Sequence, residues 1–559
     1  MLNDDLRSRI AHKLIDLYGA ESGAALNTRL IALLEQSKVA PQQQLWSQTD
    51  AVVICYADHL HRDDGTQTPL AALHDFLARY CQDAVSTVHL LPFYPYTSDD
   101  GFSVSDYRAV NAEAGTWADV AALQATFKLM FDLVINHTSV SHDWFQAFLR
   151  DEAPYNDYYI ALDPATDVSQ VTRPRTHPLL TPFETRAGIR YVWTTFSEDQ
   201  VDLNFSHPDV LLEMIEVLLF YIERGAQIIR LDAIAYLWKE IGTTCIHLAQ
   251  THEVVRLFRD VLESVAPNVL LLTETNVPHD ENMSYFGDGT DEAQMIYNFA
   301  LPPLLVHTLQ TGDANALTSW ADSLELPSEQ TTFFNFTASH DGIGVRPATG
   351  LLTPEQITRM IERVKAHGGR ISEKRNADGS TSPYEMNIVY FDALSAPDDP
   401  LAVDRFICSQ AIMLALQGIP GIYLHSLLGS RNWQEGVEET GRARSINRQK
   451  LDVETLEAEL KEAGSIRARV FSRYLDLLKQ RRSNPAFHPN ANQRVLYVGT
   501  SIFALERTAL DGSQRALCLH NVRAQDVTVV LPSGPRTLKA YEVAWLFTSD
   551  TAPVPAPSV

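Results

Sequence analysis

Four acidic residues each stand in or just after an apolar run: Asp132 in LMFDLVINH, Asp232 after IIRL, Glu274 after LLLT and Asp341 after FNFTASH. One acid in such a place often caps the next helix. Four in one chain, with Arg230 and His340 beside two of them, point to a shared site. Clustered carboxylates serve two main chemistries, metal binding and cleavage of a glycosidic bond. Metal ligation favours histidines in a compact motif such as HExxH, and the chain has none. Glycosidic chemistry requires one ionised carboxylate and one protonated one. Arg230, two residues before Asp232, would keep that carboxylate ionised for nucleophilic attack if both face the site. Glu274 lies between an apolar run and the polar TETN segment, where partial desolvation would raise its pKa towards general-acid use.

Eight β-rich runs position these acids: 51–57, 85–93, 129–137, 226–234, 268–276, 294–300, 331–340 and 418–425. Helical periodicity follows most of them, as in 209–224, 250–264 and 401–416. Eight strands alternating with helices fit a (β/α)8 TIM barrel, whose strand ends would aim the acids at one face. A doubly wound sheet is the alternative, weakened by the lack of a GxGxxG turn after the first run. The expected organisation is an N-terminal helical segment (1–45), a barrel (46–137, 202–341 and 391–484), two loop insertions (domain B, 138–201, and domain B′, 342–390), and a C-terminal all-β domain (485–550). The Pro-rich tail 551–559 is expected to be disordered. Long insertions on a barrel tend to carry function. The first contains RPRTHPLLTPF (173–183), and the second a polar stretch from His367 to Glu385.

DLVINH (132–137), IRLDAIAY (229–236), TETN (273–276) and SHDGIG (339–344) resemble the four signature regions of glycoside hydrolase family 13, the α-amylase family, in order, residue type and spacing. The resemblance covers about residues 46–485. HLLPFYPYTSDDGFSVSDY (89–107), WTTFSEDQVDLN (193–204), WKEIGTTCIHL (238–248) and ARSINR (443–448) narrow it to subfamily 18, the sucrose phosphorylases and their relatives. Within that group SPYEMNIVYFDAL (382–394) and RPRTHPLLTPF most resemble the glucosylglycerate phosphorylases. The resemblance implies that Asp232 is the nucleophile, Glu274 the acid/base and Asp341 the transition-state stabiliser. It implies that Arg230 orients Asp232, and that His137 and His340 bind the glucosyl unit. Asp99 and Arg444 would close the bottom of the glucose pocket. Phe102 and Phe196 would form an apolar platform, Gln200 a hydroxyl contact, and Tyr236 the acceptor side. It implies no cofactor and no metal.

A phosphorylase differs from a hydrolase in what attacks the glucosyl–enzyme, so it needs phosphate-binding groups and few free waters. Arginine suits phosphate through its planar fork of donors. Arg173 and Arg175, flanked by prolines, are the candidates. Glycerate as acceptor would require further positive charge, available from Lys374, Arg375, Arg173 and His177. Glu385 stands where sucrose phosphorylases carry Gln, and would bind acceptor hydroxyls or hold a neighbouring cation. The expected activity is retaining phosphorolysis of 2-O-α-glucosylglycerate to α-glucose 1-phosphate. Sucrose, sucrose 6-phosphate or glucosylglycerol phosphorolysis are the alternatives, followed by plain α-glucoside hydrolysis.

The formal net charge of −25 over 559 residues argues against partners among nucleic acids and anionic membranes. The partners expected are small molecules, with a homodimer compatible with the family. No run reaches the roughly 18 apolar residues of a membrane span. Five cysteines, an odd number at scattered positions, fit reduced thiols in a cytoplasmic protein.

Overall fold

The structure is a computed structural model that describes residues 2–37, 45–376, 378–531 and 534–548. Its centre is a closed parallel barrel of eight strands: β1 (Val52–Cys55), β2 (Thr87–Leu90), β3 (Lys128–Leu133), β4 (Ala226–Leu231), β5 (Leu270–Thr273), β6 (Met295–Tyr297), β7 (Thr332–Phe336) and β8 (Ile419–Tyr423). Each strand pairs with its neighbours in sequence, and β8 closes on β1. Most strand residues are buried, because one face packs inside the barrel and the other under helices. That double burial is why the strands appear as continuous apolar runs without alternation. Helices Pro69–Tyr80, Pro208–Glu223, Ala249–Val265, Leu301–Thr311 and Ala402–Ala415 lie in the connections, and Ile466–Arg482 follows β8. The β5–β6 connection holds only the short helix His279–Met283 and a single 3-10 turn.

Strand register fixes where the acids fall. β3 and β4 pair Asp132 with Arg230 and Leu133 with Leu231. β4 and β5 pair Leu231 with Thr273. Asp232 and Glu274 are therefore the first residues beyond adjacent paired positions, at the C-terminal rim.

The N-terminal segment, Asp4–Gln36, is two helices broken at Gly19, whose φ is 78°. Leu6, Ile10 and Leu14, then Leu26, Leu30 and Leu34, are buried at four-residue spacing. The segment packs on Pro208–Glu223 and Ala249–Val265. Gly23 permits the fold-back, since a Cβ there would stand 2.5 Å from the carbonyl oxygen of Leu14.

Both long insertions leave the C-terminal rim. The first contains strand His137–Ser139 antiparallel to Gln200–Asp202, helix Asp143–Leu149, and a small sheet of Ala161–Leu162, Leu180–Thr185 and Gly188–Trp193. The second holds helix Pro354–Ala366 and an antiparallel sheet of Ile343–Gly344, Arg370–Arg375 and Thr381–Asn387. After the barrel come a four-stranded antiparallel sheet (Asn492–Leu496, Ile502–Thr508, Arg515–Asn521, Val543–Thr548) and a hairpin (Val527–Leu531, Gly534–Leu538). Arg507 of this region is buried and donates to the carbonyls of Ala415, His488 and Ala491, tying the sheet to the barrel. The tail 551–559 lies outside the described residues.

Candidate active site

At the C-terminal rim a cavity of about 640 Å³ is lined by Asp232, Glu274 and Asp341 together. Arg230 lies beneath them, with only 2% of its surface exposed. Its Nη1 donates to Asp232 Oδ1 at 2.7 Å and also contacts Asp132, while Nη2 stands 3.9 Å from Glu274 Oε2. One guanidinium thus links the two rim carboxyls and orients Asp232.

Asp132 does not join the rim acids. It sits within β3, one residue short of the strand end. It is fully buried, and its Oδ2 lies 2.6 Å from His89 Nε2 on β2. Its negative charge anchors Arg230 from below, a role that four similar sequence contexts do not distinguish.

Ala233, directly after Asp232, adopts φ 48° and ψ 31°, a left-handed turn costly for a residue with a Cβ. The turn aims its N–H at Glu274 Oε2, 3.1 Å away. Burial, opposed by Arg230 and the Ala233 N–H and reinforced by the charges of Asp232 and Asp341, leaves Glu274 raised to about 7. Burial also raises Asp232, against the pull of Arg230 and with Asp132 adding to the rise. Arg230 opposes that rise, because a cation in hydrogen-bond contact favours the ionised carboxyl. Burial opposes ionisation of Asp341 as well, yet Arg444, His340 and Arg448 outweigh it and hold that carboxyl well below the usual range. The trio therefore combines a firmly ionised acid with one that can carry a proton near neutrality, as an acid/base step requires.

Around the trio the pocket collects nearly all the residues singled out from sequence. Asp99, Phe102, His137, Arg175, Phe196, Gln200, Tyr236, His340, Glu385 and Arg444 line it. Phe102 stacks on His340 at 4.6 Å with the rings 8° apart. His137 Nε2 and Gln200 Nε2 both meet the Phe102 carbonyl, at 2.9 and 3.2 Å. Burial lowers His340 to about 3, so the ring is neutral at physiological pH. Arg175 is held over two rings, 5.6 Å from the centroid of Phe196 and 5.3 Å from that of Tyr384. Its Nη1 donates to the Pro174 carbonyl at 3.1 Å, leaving the rest of a phosphate-shaped fork to the pocket.

Arg173 is placed differently from the expectation that pairs it with Arg175. It lines a neighbouring cavity, not the catalytic pocket, and donates to the His177 carbonyl. The two arginines are separated by one proline in an irregular loop and diverge. Glu385 spends its carboxylate on Arg444, with Nη2–Oε1 at 2.7 Å and Nε–Oε2 at 3.2 Å. That is its cation-holding option and leaves less of it for acceptor hydroxyls. Arg444 also reaches Asp341 at 2.9 Å, whereas its distance to Asp99 is 3.9 Å.

Sequence reasoning missed Arg448, although it ends the quoted ARSINR segment. Arg448 is buried behind the pocket. It donates to the His340 carbonyl at 2.9 Å and to Asp100 at 2.6 Å, and lies 3.5 Å from Asp99. Asp99, Asp100 and Gly101 are successively left-handed, with φ 52°, 48° and 109°. A Cβ on Gly101 would meet the Pro92 carbonyl oxygen at 2.3 Å. Lys239 was missed too. Its ammonium is buried against Asp202 Oδ2 and Asn136 Oδ1, each at 2.8 Å, and locks the first insertion to the segment that carries His137.

The family model for the α-amylase catalytic domain matches residues 78–343. A glucosylglycerate phosphorylase of Allomeiothermus silvanus is 48% identical over 557 residues, which cover 98% of this chain and 99% of that protein. The chain belongs to the α-amylase family. Another member, the glucosylglycerate phosphorylase of Spirochaeta thermophila, is 49% identical over 97% of this chain and 94% of its own length. The α-amylase-family fold extends to a solved sucrose 6F-phosphate phosphorylase from Thermoanaerobacter thermosaccharolyticum. That structure has a TM-score of 0.75 and 24% identity, covering 88% of this chain and 98% of that one.

Proposed function

We propose that this α-amylase-family protein is a retaining phosphorylase that converts 2-O-α-glucosylglycerate and phosphate to α-glucose 1-phosphate and glycerate. The observation that carries the reading is the Asp232–Arg230–Glu274 linkage facing Asp341 in one pocket that also presents the Arg175 guanidinium. Asp232 attacks C1 of the glucosyl unit while Glu274 gives its proton to the leaving glycerate oxygen. Asp341, ionised between Arg444 and His340, stabilises the oxocarbenium-like transition state. Phosphate, held by Arg175, then attacks the glucosyl ester from the side the glycerate has left. Two inversions retain the α configuration. Arg175 supports a phosphorylase over a hydrolase because it raises the local concentration of the competing nucleophile. The named relatives support glycerate over fructose or glycerol.

Five buried, unpaired cysteines support a cytoplasmic location. A homodimer is the proposed assembly, checked by light scattering. The deciding experiment supplies α-glucose 1-phosphate with glycerate, glycerol, fructose or fructose 6-phosphate in parallel and follows phosphate release. Release dependent on glycerate supports the reading. Release with a fructose acceptor alone moves the protein to a sucrose-type reaction, and acceptor-independent release of glucose and phosphate makes it a hydrolase.

A further inference from the structure

A cavity of about 1010 Å³ lies where three parts of the chain meet, and it shares no lining residue with the catalytic pocket. The end of helix Leu301–Thr311 reaches it from the barrel, and the end of helix Pro354–Ala366 from the second insertion. Arg523 and Tyr541 come from the C-terminal β-region. Arg363, Arg405 and Arg523 line it, and among the described residues Asp399 is its one carboxylate. In a chain of formal net charge −25, three arginines against one acid are a local reversal of sign. Arg405 is already satisfied. It pairs with Asp399, donates Nε to the Tyr541 hydroxyl at 2.8 Å and lies 4.7 Å from the centre of that ring. Tyr541 makes these contacts from a left-handed backbone, φ 53°, a strained conformation for a residue with a Cβ. The other two arginines have no such neutralisation. Arg363 Nη1 donates to the Gln310 carbonyl and Arg523 Nε to the Gly312 carbonyl, the latter at 2.9 Å. Arg523 Nη2 stands 3.5 Å from the Thr500 hydroxyl. Among the described residues neither has an ion-pair partner. Both cap the C-terminal end of helix Leu301–Thr311, and each keeps further N–H groups of its planar fork. Gln310 and Gly312 are two residues apart, so their Cα atoms lie within about 7 Å of each other. Gly312 lets Arg523 come close, since a Cβ there would stand 3.0 Å from Arg523 Cγ. Two uncompensated guanidiniums on adjacent anchors repel, and an anion between them replaces that repulsion with two charge-assisted contacts.

We propose that this junction is a binding site for a small phosphate monoester, a phosphorylated sugar or polyol, held between Arg363 and Arg523 and tying the barrel, the second insertion and the C-terminal β-region together. A phosphate monoester carries close to two negative charges at neutral pH, and its oxygens match the guanidinium fork. The cavity is the size of a metabolite site and leaves room beyond the phosphate for a carbon skeleton. The site stands apart from the catalytic carboxylates, so the inference holds or fails independently of the phosphorylase reading.

The test compares the whole wild-type chain with the Arg363→Gln/Arg523→Gln double variant, using glycerol 3-phosphate and glucose 6-phosphate as probes. Arg363 is exposed and Arg523 half-buried. The single Arg363→Gln change serves if the pair fails to fold. In calorimetric titrations at least one ester is expected to bind the wild type, with Kd rising about tenfold or more in the variant, the effect of losing a charge-assisted contact. In hydrogen exchange the bound ester is expected to protect 309–312, 363–367 and 523–525 together. Wild type that binds neither ester at up to about 10 mM overturns the inference, as does a variant that binds as tightly as wild type. So does protection confined to the catalytic pocket, at 274–277 and 384–385. Inorganic phosphate or sulfate binding as tightly as the esters would reduce the junction to an unselective ion cradle and overturn the ester assignment.

Discussion

Replacing Glu274 with Gln should make the protein more stable, and only at neutral and alkaline pH. Glu274 carries a pKa of about 7 in the folded chain against an ordinary 4.5. As pH rises between those values the unfolded chain releases this proton while the folded chain keeps it. The folded state then binds more protons, so stability falls with pH. The penalty is absent below about 4.5 and complete above about 7. At roughly 1.4 kcal/mol per pH unit, the gap between 4.5 and 7 corresponds to about 3 kcal/mol. Glutamine keeps an acceptor oxygen for the Ala233 N–H without the charge that burial, Asp232 and Asp341 disfavour. Urea midpoints of wild type and Glu274→Gln at pH 4.5 and pH 8 measure the effect. The variant should match wild type at pH 4.5 and exceed it by up to about 3 kcal/mol at pH 8. Equal gains at both values, or a loss at pH 8, would refute the electrostatic account of this carboxyl.

Further outcomes follow from the same geometry. Asp232→Asn should reduce turnover by roughly 10⁴-fold or more, with no glucosyl–enzyme in mass spectra after donor addition. Turnover near wild type would remove Asp232 from the nucleophile's place. The kcat/KM for phosphorolysis should fall tenfold per pH unit above about 7, as Glu274 loses the proton it must donate; a profile flat to pH 9 contradicts that. Arg175→Gln should raise the KM for phosphate about tenfold while glucose release by water changes less. Equal losses in both reactions would make Arg175 a general support of the pocket.

All eight barrel strands are legible in the sequence because each is buried on both faces and is written as an apolar run. The rim acids are legible because they interrupt those runs at their ends. Asp132 shares that context with Asp232 and yet serves another purpose. The difference is one position: Asp132 is still inside its strand, opposite Arg230, whereas Asp232 is already past its own. Pairings across long chain separations leave no local trace. Nothing around Arg444 announces Glu385, 59 residues away, and nothing around Arg448 announces Asp100, 348 residues away. The loop arginines show a related limit. Arg173 and Arg175 are equivalent by composition, but the irregular path through Pro174 sends them to different cavities. Local sequence reports which element a residue belongs to; side-chain direction in loops is decided by packing partners that come from elsewhere.

The Asp99–Gly101 loop has a consequence for what the protein can consume. Its three residues are left-handed, Gly101 lies close against Pro92, and Arg448, which itself lies over Tyr56 in the core, pins Asp99 and Asp100 from behind. Such a loop cannot lengthen, shorten or swing aside without breaking contacts in the barrel interior, so the depth of the pocket is a constant of the fold. The resemblance to the sucrose phosphorylases gives Asp99 and Arg444 the closing of the glucose pocket, and a fixed wall at Asp99 suits a pocket for one sugar ring. On that reading starch-like chains would offer only their ends, and a small glucoside would offer everything. On that reading a change of substrate would come through the opposite opening, which the two insertions line, while the glucose seat stays as it is.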